Sequence, residues 1–153
     1  MLSLQEISDR LEIQDLLARY SHAIDRRDWG ALDRVFTPDA FIDYTSMGGA
    51  SGTLPHIKLY LAQAMAHFKG FQHLVATTEL TLEGDQARGR TICHNPMIMD
   101  LDGKEWIFFC GLWYVDKFVR TEHGWRICER IEEKSHFFNL PPSFAPPPTT
   151  ISA

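Results

Sequence analysis

The sequence predicts an α+β fold, with helices packed on one face of a curved, mostly antiparallel sheet. Two observations carry this expectation. Before Gly70, apolar residues recur at three- and four-residue steps, the period of an amphipathic helix. After Gly70 the period changes, and long strand-like segments are separated by the short turns EGDQ, LDGK and RTEHG. The Asp-Gly of the second turn and the Gly of the third are hairpin signals.

In chain order, Ser3 and Glu6 match a capping box, and Leu2 and Ile7 are spaced for a hydrophobic staple around it. Leu4, Ile7, Leu11, Leu17, Tyr20 and Ile24 then form one stripe, widened by Ile13 and Leu16, which predicts a long helix ending near Arg27. Asp28 is placed to cap a second short helix, WGALDRVF, closed by Pro38. AFIDYTS reads as a short strand and MGGASGT as a flexible loop. A third helix, LPHIKLYLAQAMAHFKG, has Pro55 in its first turn, Gly70 at its end, and Ile57, Leu61, Ala64, Met65 and Phe68 on one face. Residues 71–83, 86–101, 104–120 and 124–138 read as four strands. The tail 139–153 is too proline-rich for a ladder and is expected to run extended over the surface. No repeat or linker interrupts the 153 residues, which read as one domain.

The formal net charge of −5 argues against a nucleic-acid backbone as partner, and Arg26-Arg27 is only a pair. No apolar run is long enough to span a bilayer, and the N-terminus lacks a basic region followed by an apolar one. A soluble, cytoplasmic protein is the expectation. Cys93, Cys110 and Cys128 are far apart in apolar strand-like contexts, the pattern of reduced core thiols; a lone nucleophile is the alternative.

Phosphate-binding and dinucleotide glycine motifs are missing, as are metal-ligand spacings and a nucleophile elbow. Chemistry without cofactor or metal, or no chemistry, is what remains. Seven histidines are the first candidates. His123 falls in a turn, His56 and His67 at the ends of the third helix, His22 beside the first stripe, and His136 near a strand end. His73 differs, because alternation places it on one strand face with Phe71, Val75 and Thr77. An imidazole there needs a partner. That partner is a backbone carbonyl in one reading and a catalytic carboxylate in the other. Asp25 sits in the last turn of the first helix, where the dipole is unfavourable to an anion. It is placed either to pair with Arg26 or Arg27 or to reach into a cavity between helix and sheet.

Tyr20, Asp25 and His73, taken with IQDLLARYSHAIDRRDWGALDRVFTPDA in front and GLWYVDKFVRTEHGWRI behind, resemble the SnoaL-like branch of the nuclear-transport-factor-2-like (NTF2-like) superfamily. The likeness is to bile-acid 7α-dehydratases, hexachlorocyclohexane dehydrochlorinase and scytalone dehydratase, and the FAPP of the tail is similar to the dehydrochlorinase ending. The resemblance implies a cone-shaped α+β barrel and a cofactor-independent lyase. It makes His73 the general base, oriented by Asp25, and gives Tyr20 the oxygen that leaves or gains charge. The family's arginine on the last strand falls on Arg130, with Arg126 as the neighbouring alternative and a surface pair with Glu129, Glu132 or Glu133 as the bland one. His94 resembles the second histidine of scytalone dehydratase; Pro96 beside it suggests a bulge, so Asn95 is an equal candidate.

Apolar lining is expected from Phe41, Tyr44, Met47, Leu61 and Met65, and from Phe71, Met97, Trp113 and Phe138. Such a cavity suits a small hydrophobic cyclic substrate, a steroid, polyketide or alicyclic hydroxy compound. Elimination of water is the expected reaction. Steroid isomerisation or polyketide cyclisation with the same dyad, and a non-catalytic ligand-binding domain, are the alternatives. The resemblance also implies a homo-oligomer, a trimer ahead of a dimer.

Overall fold

The computed structural model describes residues 1–144. Of the tail expected to run extended, Pro142–Phe144 instead form a 3-10 turn that packs Phe144 against Phe68 and Phe108, and the rest, with the FAPP ending after its Phe144, lies outside the described residues. Helix α1 spans Leu4–Asp25 and opens with the predicted capping box: Glu6 N–H donates to Ser3 Oγ at 3.2 Å and Ser3 N–H to Glu6 Oε2 at 2.6 Å. Its buried face is Asp9, Ile13, Leu16, Leu17, Tyr20, Ser21, Ala23 and Ile24. Leu4, Ile7 and Leu11, placed in the stripe by spacing, are exposed. The one buried side chain in those first turns is Asp9.

Asp28 Oδ1 accepts from Ala31 N–H at 3.0 Å, but the turn that follows, Trp29–Arg34, is a 3-10 helix. Pro38 does not close it. Strand β1, Phe36–Asp43, starts earlier than expected and carries Pro38 where its pairing with the last strand skips from Phe36 to Phe41. A missing N–H is tolerated at such an irregularity. Strand β2 (Ser51–Thr53) lies inside the segment expected as loop, and α2 (Leu54–Ala64) begins with Pro55 in its first turn. The first predicted long strand divides into β3 (Gly70–Phe71) and β4 (Leu74–Glu83). Strands β5 (Gln86–Leu101), β6 (Lys104–Thr121) and β7 (Gly124–Phe138) follow as a meander. The Asp102–Gly103 turn has both residues at positive φ (54° and 79°), the conformation of a two-residue hairpin loop.

The strands form one mixed sheet in the order β2-β1-β7-β6-β5-β3, with β4 also on β5; β1 is parallel to β7 and every other pair is antiparallel. The sheet is curved but not closed into a full barrel. Its inner face carries Thr91, Cys93, Asn95 and Met97 of β5, and Phe108, Leu112, Tyr114, Asp116 and Phe118 of β6, all buried. On β7, Ile127 pairs with Phe118 but Glu129 with Lys117, so Cys128 is an extra residue. That bulge inverts the parity, turning Trp125 and Ile127 inward before it and Arg130 inward after it.

Candidate active site

Asp25 ends α1 because the chain turns left-handed two residues later. Arg27 has φ 55°, a conformation that strains a side chain, while Asp28 N–H bonds Ala23 O at 2.9 Å. Arg27 is held there by two contacts: its Nη2 donates to Phe68 O at 2.8 Å, and its guanidinium lies 4.7 Å from the Phe71 ring centroid. It is therefore committed elsewhere and does not pair with Asp25.

The strand break at Gln72–His73 frees the groups that Asp25 receives. Register places this pair opposite Pro96 and Asn95 of β5, between the Phe71–Met97 and Leu74–His94 pairs. Pro96 has no N–H to offer. His73 N–H turns out of the ladder and donates to both Asp25 oxygens, at 3.1 Å each. The ring completes the pair, with Nδ1 2.7 Å from Asp25 Oδ1. On its other side Nε2 lies 3.1 Å from the Asn95 amide. The His73 side chain is 7% exposed and that of Asp25 21%, so the dyad has one wet edge. Tyr20 and Phe71 meet the imidazole edge-on, at centroid distances of 6.4 and 6.0 Å.

Behind Tyr20 lies a buried ionic core. Arg130 and Asp116, both fully buried, make a two-pronged pair at 2.8 and 2.7 Å. The guanidinium is sandwiched between the Tyr20 and Tyr114 rings at 4.0 and 3.9 Å. Arg130 Nη1 has no acceptor among the described residues. Tyr20 Oη and Tyr44 Oη are 2.9 Å apart. Burial raises the Tyr20 phenol above its usual range, and the Arg130 charge opposes that rise. Burial likewise pushes the Cys93 thiol up to about 11 and Cys110 up to about 12. Thiols so protonated are poor nucleophiles, which removes support from a cysteine mechanism.

A groove of about 840 Å³ runs between α1 and β4 and has Asp25 and His73 in its wall. Ile13, Leu17, Val75 and Leu80 give it apolar surface, while Arg10, Gln14, Ser21 and Thr78 make it polar as well.

A SnoaL-like domain model matches residues 5–131. The chain belongs to the SnoaL-like domain family. It is 52% identical over 134 residues to the uncharacterized protein Rv2910c of Mycobacterium tuberculosis, covering 88% of this chain and 90% of that protein. Among solved structures, a hexachlorocyclohexane dehydrochlorinase (LinA, type 2) superposes with TM-score 0.77 at 20% identity, covering 95% of this chain and 98% of that one. An NTF2-like superfamily protein of Salmonella enterica superposes with TM-score 0.72 at 15% identity, covering 84% and 92%. These two likenesses establish the fold.

Within this SnoaL-like domain, His73, Asp25, Tyr20, Asn95 and Phe71 come together, and Arg130 joins them through the Tyr20 ring. Arg126 instead bonds His123 O and Trp125 O near the hairpin. The bland surface pairing of Arg130 does not occur, since Glu129 pairs with Lys117 and Glu133 with Arg90. Tyr44, Leu61, Met65 and Met97 are core residues of the interior. His94 stacks on Phe109 at 5.4 Å and also lines the groove, as expected. Three expected pocket residues are misplaced: Phe41 is exposed on β1, and Trp113 and Phe138 lie on the outer sheet face, Phe138 6.1 Å from the Phe109 ring. Arg90 covers Trp113 on that side. The expected bulge at Pro96 is also absent: β5 pairs with β6 without a register shift, so His94 must point opposite to Asn95. The bulge is in β4, between Val75 and Thr78. Sequence reasoning missed Asp116 as the partner of Arg130, and it placed Glu132 on the surface. Glu132 pairs across the ladder with Tyr114, and burial pushes its carboxyl up to about 8, with Arg130 pulling the other way.

Proposed function

We propose that this SnoaL-like domain is a cofactor-independent lyase that eliminates water from a cyclic hydroxy compound, with His73 as general base. The observation that carries the reading is the 2.7 Å contact between His73 Nδ1 and Asp25 Oδ1, made on the wall of an open groove. A carboxylate on Nδ1 orients the ring and balances the imidazolium formed when the other nitrogen takes a proton. His73 removes a proton from the carbon next to the C–O bond. The C–H electron pair becomes the double bond, the C–O bond breaks, and the departing hydroxide leaves as water with the proton His73 took. Tyr20 steadies the departing oxygen, and Arg130 acts through the Tyr20 ring it covers. The dehydrochlorinase among the structural neighbours supports an elimination on a comparable scaffold.

The test is incubation with a panel of alicyclic and polycyclic β-hydroxy ketones, followed by mass spectrometry. A product lighter by one water, formed by the wild type and not by His73→Ala, is expected. Product formed equally by both proteins would overturn the assignment.

The reading includes self-association, with a trimer preferred. Ile92, Ile107, Val115, Ile131 and Phe138 leave exposed apolar area on the outer sheet face, which supports this. Sedimentation equilibrium is expected to give a trimer for the wild type and a smaller species for Val115→Arg.

A further inference from the structure

The His73 ring nitrogen not held by Asp25 is also occupied, and its neighbour is not passive. Asn95 is buried on the inner face of β5, between Cys93 and Met97, where no solvent is at hand to satisfy its amide. Three groups surround that amide: Gln72 O at 3.1 Å, Pro96 O at 3.2 Å and His73 Nε2 at 3.1 Å. Two of them are fixed acceptors. Only the third can change, because an imidazole nitrogen accepts when bare and donates when protonated.

The two amide orientations therefore differ sharply. When the ring is neutral with its proton on Nδ1 toward Asp25, Nε2 is bare, and Asn95 must turn its NH2 to it. Its oxygen then lies against the Gln72 and Pro96 carbonyls, two acceptor–acceptor contacts with no water to relieve them. When Nε2 carries a proton, the amide turns over. Its oxygen accepts from Nε2–H, and its NH2 donates to both carbonyls, so all three contacts become hydrogen bonds. Both carbonyls are there because of the strand break. Gln72 N–H already donates to Pro96 O at 3.2 Å, while His73 N–H has left the ladder for Asp25.

We infer that Asn95 is a positioning residue for the proton transfer: once Nε2 has taken the proton, its amide turns over and stabilises the imidazolium. This rests on the general-base reading of His73 and adds to it a second anchor. Asp25 accepts from Nδ1–H and Asn95 accepts from Nε2–H, so the protonated ring is bonded at both ends.

Nitrogen-15 NMR of the full chain reads this without a substrate. The His73 ring signals are assigned by their loss in His73→Gln. On lowering the pH the wild type is expected to gain its Nε2 proton together with slowly exchanging Asn95 side-chain amide protons. Asn95→Leu removes the acceptor and is expected to need a lower pH to gain the same proton. Asn95→Asp restores an acceptor and is expected to reverse that shift, which a merely structural role would not do. An Nε2 titration unchanged in Asn95→Leu overturns the proposal. The outcome is independent of whether the dehydration screen yields product, so failure of the reaction class and failure of the Asn95 role are separable.

Discussion

Helix α1 carries two aspartates that face the protein, one near each end, and their surroundings are opposite in kind. Asp9 is saturated by donors of fixed protonation: Arg120 Nη2 at 2.8 Å, Trp125 Nε1 at 3.0 Å and Gln5 Nε2 at 3.0 Å. Arg120 also packs over the Trp125 ring and bonds Asp85, so the network ties α1 to β6, β7 and the hairpin between β4 and β5. The Arg120 hydrogen bond holds the Asp9 carboxyl down to about 2, with Trp125 and Gln5 adding to the effect. Asp25 instead accepts from a backbone N–H and an imidazole, one partner that is fixed and one that can gain or lose a proton. The same side chain on the same helix is a fastener where every donor is permanent and a working group where one donor is titratable.

The largest effect should come from breaking the Asp25 end. His73→Ala is expected to lower the rate of elimination by about 10²–10⁴, the usual worth of a positioned proton-transfer group. Asp25→Asn is expected to approach the same loss, since it removes the charge that balances the imidazolium. Thermal unfolding should move little in either variant, because the dyad lies on the edge of the groove and not in the core. A large fall in melting temperature with activity retained per folded molecule would reverse the contrast with Asp9.

Breaking the Asp9 end should do the converse. Asp9→Asn leaves Arg120 and the Trp125 N–H without their carboxylate and is expected to cost about 2 kcal/mol in urea denaturation, discounted because Arg120 is partly solvated. Elimination per folded molecule should be unchanged. The acid dependence has a definite sign. Asp9 titrates near 3.8 when unfolded and near 2 when folded, so its contribution is complete above 3.8 and disappears as pH falls through 2. Asp9→Asn should flatten that acid limb.

The two ends were not equally legible in the sequence. Helical spacing located α1, and the hairpin signals located β5, β6 and β7 to within a residue or so. The Asp25–His73 pairing came from chain order within a resemblance; spacing alone left a pair with Arg26 or Arg27 equally open. Asp9 was invisible because spacing assigned the first turns of α1 to Leu4, Ile7 and Leu11, which are exposed. Strand parity failed wherever one residue was inserted. Strict alternation from Trp125 and Ile127 points Arg130 outward, and only the bulge at Cys128 brings it against Asp116. Conversely, a bulge was expected at Pro96 and none exists in the β5–β6 pairing, so the parity that was set aside there does separate Asn95, on the inner face, from His94. Bulges depend on cross-strand geometry, which no local pattern contains.

Glu132 gives the smallest expected effect and the finest version of the comparison, because it differs from Asp9 in the charge state that suits it. Two residues beyond Arg130, it turns inward opposite Tyr114, and no hydrogen-bond donor reaches its carboxyl among the described residues. Burial therefore raises it to about 8; Arg130 lowers it and Asp43 adds to the rise. Below about 4.5 both folded and unfolded chains keep this proton, and nothing is lost. Between 4.5 and 8 the unfolded chain ionises while the folded one does not, so folding takes up a proton and stability declines as pH rises, levelling above 8. Glu132→Gln is isosteric and permanently neutral, so it should match the wild type near the acid end and exceed it at the alkaline end. Urea midpoints at about pH 5 and about pH 8.5 measure this. Were the difference absent, Glu132 would have to be solvated or paired when ionised, and the inner face of β7 would be more polar than its packing against Tyr114 implies. Were it present, one helix and one strand of this domain would hold the two carboxyl extremes, one stable only when charged and one only when neutral.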